Sequence, residues 1–325
     1  MKTTFSQRLV LFTEKRLTIR KAKNRITDEK NKEKGPVREW IEAILWAVVI
    51  VFLINQFIFQ LYQIPTSSME STLLIKDRVF VNKAVFGPEI YPGGPKVFDL
   101  IDPDRDDIII FENPNYISRG PLFDVMNRVI YMITFSLVNI DKDENGDPKA
   151  QLYVKRLLGY PQDTISFKEG EVFIRPSGFE YPVNEADFRH SSELNNYRQR
   201  LFTEEDYVSF TAYAQLQAYA KEGIQAPSGL SDAYKQNDLG LTDYYHTYQE
   251  FYRLRSQLVP QDLSVRSEST RYLNGFYIPD GYMLPIGDNR DNSGDGRYFG
   301  PVAISEVLGK ATFRFWPLPR WGILD

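Results

Sequence analysis

The chain has 325 residues, of which 42% are hydrophobic, enough for a large core or two modest domains. It has no cysteine, which excludes disulfides, thiolate metal sites and cysteine nucleophiles. The net charge is −4, yet residues 1–39 carry 12 Lys or Arg against 5 Asp or Glu. This basic segment could bind nucleic acid, but next to a long apolar run it is more simply interpreted as a cytoplasmic flank of a membrane span.

The first predicted element after the basic tail of residues 1–39 is one transmembrane helix over residues 40–62. Residues 43–62 contain no charged side chain, and about 20 such residues span a bilayer as a helix. Trp40, Trp46 and Tyr62 could be interfacial aromatics. A buried globular helix is the alternative, and the length and the basic flank argue against it. By the positive-inside rule the tail is cytoplasmic and the rest of the chain is extracytoplasmic.

The remaining sequence predicts a mainly β domain in two parts, residues 63–184 and 271–325. Alternating or β-branched runs indicate strands in several places, namely 78–83, 107–111, 152–154, 164–167, 172–174, 276–278 and 311–317.

Two segments interrupt the predicted strands. In the segment 115–150, residues 129–140 are too short for a second span and suggest an amphipathic or interfacial helix. The segment 185–270 is polar and rich in tyrosine, and we interpret it as a largely helical insertion. Within it we expect one helix to start at Thr203–Asp206 and a second to cover Thr242 to Leu258.

Two polar stretches could supply chemistry. A cluster of hydroxyl residues, 66–72, follows the apolar run and includes Ser68. Such a cluster could equally be a helix N-cap or a polar loop. A serine hydroxyl needs a base to become a nucleophile, and a lysine in an apolar setting can be that base when it is neutral. Lys155, between apolar residues, is a candidate, although it could also be one of a basic pair at a strand end.

A histidine base is less attractive in this chain. Its only histidines are His190 and His246, and neither has the spacing of a metal site. Both lie in the tyrosine-rich segment, and we interpret both as solvated surface residues.

Four stretches together resemble the boxes of bacterial type I signal peptidases, membrane-bound serine peptidases with a Ser/Lys dyad. Residues 65–73 (Pro-Thr-Ser-Ser-Met-Glu-Ser-Thr-Leu) are similar to the Ser-Met-x-Pro-Thr-Leu box, and residues 105–111 to Arg-Gly-Asp-Ile-Val-Val-Phe. Residues 153–165 are similar to the Lys-Arg-Val-x-Gly-x-Pro-Gly-Asp box. Residues 287–300 (Gly-Asp-Asn-Arg-Asp-Asn-Ser-Gly-Asp-Gly-Arg-Tyr-Phe-Gly) match nearly the whole family signature.

The resemblance implies a role for each matching position. Ser68 would be the nucleophile and Lys155 the general base. The Thr66 hydroxyl and the Ser68 N–H would form the oxyanion hole, and Ser293 would hydrogen-bond and orient the lysine. The structural ion pairs around the site would be formed by Asp288, Asp295, Arg156 and Arg297.

The resemblance also implies removal of N-terminal signal peptides from exported preproteins with small residues before the cut. No metal or organic cofactor and no nucleic acid would take part; membrane lipid and the secretion machinery would be partners. The location would be the bacterial plasma membrane. Ser71 replaces the family's proline, which loosens a turn and adds a rival hydroxyl. Two alternatives stand: an inactive membrane-tethered adaptor of the same fold, and a self-cleaving repressor-type Ser/Lys peptidase.

Overall fold

The computed structural model describes residues 13–23, 35–91, 94–96, 101–134, 137–143, 146, 149–234 and 240–324. The chain divides into two compact units, residues 1–53 and 54–325. The predicted basic tail, residues 1–39, lies partly outside the described residues; its described stretch 13–23 is helical, and residues 36–39 belong to the next helix.

The apolar run forms helix α1 (Pro36–Phe57), which is shorter than the predicted span of 40–62. The prediction of its C-terminal end was wrong, because residues Phe59–Gln63 form strand β1. This strand pairs antiparallel with β2 (Arg78–Asn82), and its side chains alternate between buried and more exposed positions, which a helix would not allow. Within the parts of the chain that the structure describes, no helix is long and apolar enough to cross a membrane.

The second unit is built on two antiparallel sheets. The larger sheet has the strand order β1-β2-β11-β3-β4-β9-β10, with β12 paired to β11. The smaller sheet has the order β7-β6-β5-β8. The strands not yet bounded are β3 (Ile108–Glu112), β4 (Leu152–Gly159), β5 (Thr164–Lys168), β6 (Glu171–Arg175), β7 (Val183–Asn184), β8 (Phe276–Tyr277), β9 (Tyr282–Ile286), β10 (Val302–Ala303), β11 (Val307–Trp316) and β12 (Gly322–Ile323).

The larger sheet curls, because β1 and β4 share a core although three strands separate them in the sheet order. Tyr62 of β1 and Ile64 just after it are buried in one cluster, against which Leu152 and Val154 of β4 pack. Burying apolar surface stabilises the closed sheet by about 25 cal/mol per Å². The curl brings the turn that follows β1 against the middle of β4, and the candidate site lies there.

The insertion between β3 and β4 contains helix α2 (Pro121–Ile133) instead of the predicted helix over 129–140. Proline at its first turn suits a helix start, because no backbone N–H is needed there. The helix ends before Thr134, and Ile140 N donates to the Asn127 side chain, so the chain has turned back along the helix. Residues 135–136 lie outside the described part.

The second insertion is largely helical, as predicted. Its helices are α3 (Glu185–Ser191), α4 (Glu204–Glu222), α5 (Leu230–Ala233), α6 (Tyr244–Leu258) and α7 (Leu263–Asn274). The predicted start at Thr203 is confirmed, because Thr203 and Asp206 form a reciprocal capping box. Helix α7 was not predicted from its polar sequence; it packs on α6 and on β5. One further short helix, α8 (Gly296–Phe299), follows β9.

The two histidines differ in their surroundings. His190 is exposed, as predicted. The same prediction for His246 was wrong, because α6 packs against α4 and buries it, with Nε2 2.8 Å from Thr211 Oγ1. This burial lowers the pKa of His246.

Candidate active site

Ser68 lies in a short 3₁₀ turn, Ser67–Met69, that leads out of β1. The turn is held by its own backbone, since Glu70 N donates to Ser67 O (2.9 Å) and Leu73 N donates to Met69 O (2.7 Å). Met69 and Leu73 are buried in the core cluster of the large sheet. These two apolar anchors fix the turn on the sheet and leave the Ser68 side chain beside it, with 8% of the residue exposed.

Lys155 lies in the middle of β4, where it pairs with Ile109 of β3. Only 3% of the residue is exposed, and its Nζ donates to Ser68 Oγ (2.6 Å) and to Val154 O (3.1 Å). Burial lowers the pKa of Lys155 to about 8, although Asp295 and Asp288 act in the opposite direction. The amine is therefore neutral in a useful fraction of molecules near neutral pH, and it touches a hydroxyl.

Asp288 and Asp295 are the two carboxylates whose charges raise the pKa of Lys155, and each of them is paired with a guanidinium. Asp288 accepts from Arg156 Nε and Nη2, both at 2.9 Å, and also from Thr72 Oγ1 at 2.6 Å. Asp295 accepts from Arg297 Nε at 2.8 Å.

Asp295 also accepts from Gly287 N at 2.9 Å. Burial alone would raise the pKa of Asp295, but Arg297 and these hydrogen bonds hold it below its usual range. Because a guanidinium already serves as the counter-ion of each carboxylate, neither carboxylate depends on a protonated Lys155.

Thr66 stands at the start of the 3₁₀ turn, with its Oγ1 3.3 Å from Ser68 Oγ. Its backbone is extended and its side chain is exposed. Its hydroxyl is thus close to the Ser68 side chain and accessible to a bound molecule.

Ser293 does not make the predicted hydrogen bond to Lys155. The lysine donates instead to Ser68 and to Val154 O, and the buried Ser293 Oγ has no hydrogen-bond partner among the described residues. It nevertheless lies close by, since a Cβ on Gly287 would stand 2.1 Å from Ser293 Oγ and 2.5 Å from Ser68 O. Only glycine fits at 287.

Sequence reasoning missed the residues that tie the Ser68 turn to the loop after β9. Asn289 N donates to Ser68 O (3.1 Å), and Asn289 Nδ2 donates to Ser67 O (3.2 Å). Asn292 Nδ2 donates to Ser67 Oγ (3.1 Å). Asn289 and Asn292 belong to the glycine- and aspartate-rich signature stretch, but no pattern in the sequence indicates which partner each side chain finds.

The rival hydroxyl, Ser71, points away from Lys155. Ser71 Oγ donates to the backbone carbonyl of Tyr197, in the second insertion. Of Ser67, Ser68 and Ser71, only Ser68 has the lysine as its hydrogen-bond partner.

A serine hydroxyl bonded to a buried, easily neutralised lysine is an arrangement of serine hydrolases that use no histidine. The matches to known proteins give the family. Residues 37–316 match the signal peptidase, peptidase S26 family, so the chain belongs to this family of serine endopeptidases.

The chain is similar to signal peptidases from several bacteria. The chain is 23% identical over 337 residues to signal peptidase I of Haemophilus influenzae, covering 96% of this chain and 81% of the relative. It is 31% identical over 170 residues to signal peptidase I P of Bacillus subtilis subsp. natto, covering 52% and 68%. A crystal structure of a signal peptidase I from Enterococcus faecalis V583 aligns with 65% of this chain and 98% of its own, at 18% identity and a TM-score of 0.25.

Proposed function

We propose that this protein removes signal peptides from exported preproteins, with Ser68 as nucleophile and Lys155 as general base. The observation that carries the proposal is the 2.6 Å contact between the buried Lys155 Nζ and Ser68 Oγ. Burial keeps the amine neutral part of the time, so it can accept the hydroxyl proton, which a charged ammonium cannot do.

The reaction runs in two halves. Ser68 Oγ attacks the carbonyl carbon of the scissile peptide while its proton moves to Lys155 Nζ, and a tetrahedral oxyanion forms. The C–N bond then breaks as the lysine returns the proton to the leaving amine, which leaves an acyl-enzyme on Ser68. Water, deprotonated by the same lysine, attacks the acyl carbon. The bond from that carbon to Ser68 Oγ then breaks, the lysine returns the proton to Oγ, and the acid is released.

The Ser68 N–H and the Thr66 hydroxyl would receive the oxyanion. Donors aimed at a developing negative charge typically contribute about 3 kcal/mol to the transition state. The 3₁₀ turn places Thr66 only 3.3 Å from the attacking oxygen, which supports this role.

The substrate would lie extended between two free strand edges. β1 is at one end of the large sheet, and no strand among the described residues pairs with its outer edge. The pairing of β4 with β9 begins at Arg156, so within the described part of the chain no strand pairs with that edge of Leu152–Lys155. Both edges lead to Ser68 and Lys155, and an added strand would gain main-chain hydrogen bonds from them. Membership of the signal peptidase family supports the proposal that the residues before the cut have small side chains.

We also propose that the protein is held at the plasma membrane, with residues 1–39 in the cytoplasm. Most apolar side chains of α1 are exposed, among them Trp40 and Trp46. In the second unit, Trp316 and Trp321 are 50% and 69% exposed on a rim that also carries Phe313 and Phe315. Exposed apolar surface of this kind favours contact with lipid. Protease added outside intact spheroplasts should digest the large domain, and protection of that domain would contradict this orientation.

The activity is tested by cleavage of a model preprotein in detergent. Wild-type enzyme should cut after a small residue, and Ser68→Ala and Lys155→Ala should both be inactive although folded. Matched controls are Ser177→Ala, which removes an exposed hydroxyl in the turn after β6, and Lys310→Ala, which removes a half-buried lysine of β11. Cleavage by either dyad variant would refute the mechanism. Absence of cleavage by folded wild type would favour the adaptor alternative.

A further inference from the structure

An extended segment of the second insertion, residues 195–201, lies against the loop after β9. Gln199 N donates to Asp288 O (2.9 Å), and Arg290 N donates to Gln199 O (3.0 Å). Gln199 and Asn289 thereby form a parallel β-bridge. The insertion therefore adds a short length of β-structure to the loop that carries the family signature.

That loop is bonded directly to the nucleophile's turn. Asn289 lies between the two residues that the insertion binds, and its N–H donates to Ser68 O at 3.1 Å. The path from the insertion to the Ser68 backbone thus consists of two hydrogen bonds and a few peptide units.

A second link reaches the chain just after the nucleophile. Ser71 has a φ of +85°, a left-handed conformation that costs most L-residues free energy. A proline, the residue of the family's box at this position, has φ fixed near −65° and could not adopt it. The Ser71 hydroxyl donates to Tyr197 O, so a carbonyl of the insertion helps to hold this unfavourable turn.

The side chain of Tyr197 fixes that carbonyl. Its ring lies under the guanidinium of Arg156, with Cζ 4.0 Å from the ring centroid. Arg156 follows Lys155 in β4 and is itself immobilised by Asp288. Guanidinium–ring contacts of this kind are attractive, and they become stronger when the pair is partly desolvated.

We propose that Tyr197 is a positioning residue for the Ser68/Lys155 pair. Its ring, held by Arg156, and its carbonyl, bound by Ser71, fix the turn so that Ser68 Oγ stays within hydrogen-bond distance of Lys155 Nζ. This inference rests on the proposed function, and it assigns the insertion a role in the geometry of catalysis.

The first experiment compares Tyr197→Ala and Tyr197→Phe with wild type in steady-state cleavage of a model preprotein. Loss of the ring should lower kcat about 10- to 100-fold, because displacements of about 1 Å are that costly to an aligned nucleophile. KM should change less than about twofold, since Tyr197 holds the catalytic turn and not the substrate. The phenylalanine variant keeps the ring and should retain wild-type kcat.

The pH profile separates positioning from mere loss of folded protein. A loosened turn admits water to Lys155 and moves its pKa back towards the ordinary lysine value. The midpoint of kcat against pH should therefore rise in Tyr197→Ala. A smaller folded fraction would lower the amplitude of the profile and leave its midpoint unchanged.

Ser71 provides an independent pair of variants. Ser71→Ala removes the hydroxyl and should lower kcat with the same upward shift of the midpoint. Ser71→Asn should recover most of the activity, because asparagine tolerates a positive φ and its amide can donate to Tyr197 O. The matched control is Tyr248→Ala, an exposed tyrosine of α6, which should match wild type.

The proposal is overturned if Tyr197→Ala and Ser71→Ala keep the wild-type kcat and pH midpoint. It is equally overturned if their kcat falls only in proportion to the folded fraction. Should Tyr197→Ala fail to fold, Ser71→Ala and Ser71→Asn decide the question. Failure of the proposed function is a different result, namely inactive wild type or active Lys155→Ala.

Discussion

Arg156 and Asp288 form a doubly hydrogen-bonded ion pair that joins β4 to the loop after β9. Arg156 Nε and Nη2 each lie 2.9 Å from one oxygen of the carboxylate, and both side chains are about 1% exposed. Since Lys155 precedes Arg156 and Asn289 follows Asp288, the pair fixes the spacing between the lysine and the loop that binds the Ser68 carbonyl.

We expect Asp288→Asn to destabilise the fold by about 3 kcal/mol, because it breaks the doubly hydrogen-bonded pair and leaves the buried Arg156 guanidinium with the more distant carboxylate of Asp106, 3.6 Å away. Urea unfolding followed by circular dichroism measures this loss. The double variant Arg156→Met/Asp288→Leu should lose less than the sum of the two single changes. As a control, Glu268→Gln breaks an exposed pair with Arg271 and should change stability by less than about 1 kcal/mol. An Asp288→Asn variant as stable as wild type would contradict a structural role for the pair.

The rate of cleavage should depend on the protonation of Lys155. Because burial lowers the pKa of Lys155 to about 8 and only the neutral amine is a base, kcat/KM should rise about tenfold per pH unit below pH 8 and level off above it. Initial rates with the free enzyme between pH 5 and 10 measure this profile. A profile with its midpoint near the ordinary pKa of lysine would contradict a buried neutral base.

The lowered pKa of Lys155 also makes the free energy of unfolding depend on pH. The folded-state pKa of Lys155 is about 8 and the ordinary value is 10.5, so between these pH values the unfolded chain binds more protons than the folded one. The protein should therefore become more stable as pH rises from about 8 to 10.5. Below pH 8 the free-energy cost of burying the protonated Lys155 should be constant.

Lys155→Met tests this contribution, because it removes the buried charge and keeps a chain of similar length. It should be more stable than wild type at pH 7 by about 3 kcal/mol, the free-energy equivalent of the shift. The difference should shrink as pH approaches 10.5. Equal stability of the two proteins at both pH values in chemical denaturation would show that the amine is not desolvated.

Thr66→Val should lower kcat about 100-fold, because it removes one of the two proposed oxyanion donors and keeps the shape of the side chain. Thr66→Ser retains the hydroxyl and should stay within a few-fold of wild type. KM should be nearly unchanged in both, since the donor acts mainly on the transition state. Wild-type kcat in Thr66→Val would exclude Thr66 from the oxyanion hole.

Local patterns in the sequence were sufficient for much of the secondary structure. Alternating apolar residues indicated strands such as β2 and β5, and the capping box at Thr203 marked the start of α4. Such features depend on residues a few positions apart, whose backbone preferences and side-chain periodicity act locally. Resemblance to a known family selected Ser68 and Lys155 from among many serines and lysines.

Only the tertiary structure decided which distant groups meet. Ser68 and Lys155 lie 87 positions apart, and the curl of the large sheet brings them into contact. The same long-range packing ended α1 at Phe57, buried His246 and turned Ser71 towards Tyr197. Burial and partner choice depend on how whole elements pack, and neither is encoded in the few residues around each position. The sequence by itself determined the local elements and the family; the packed fold determined the geometry of the site.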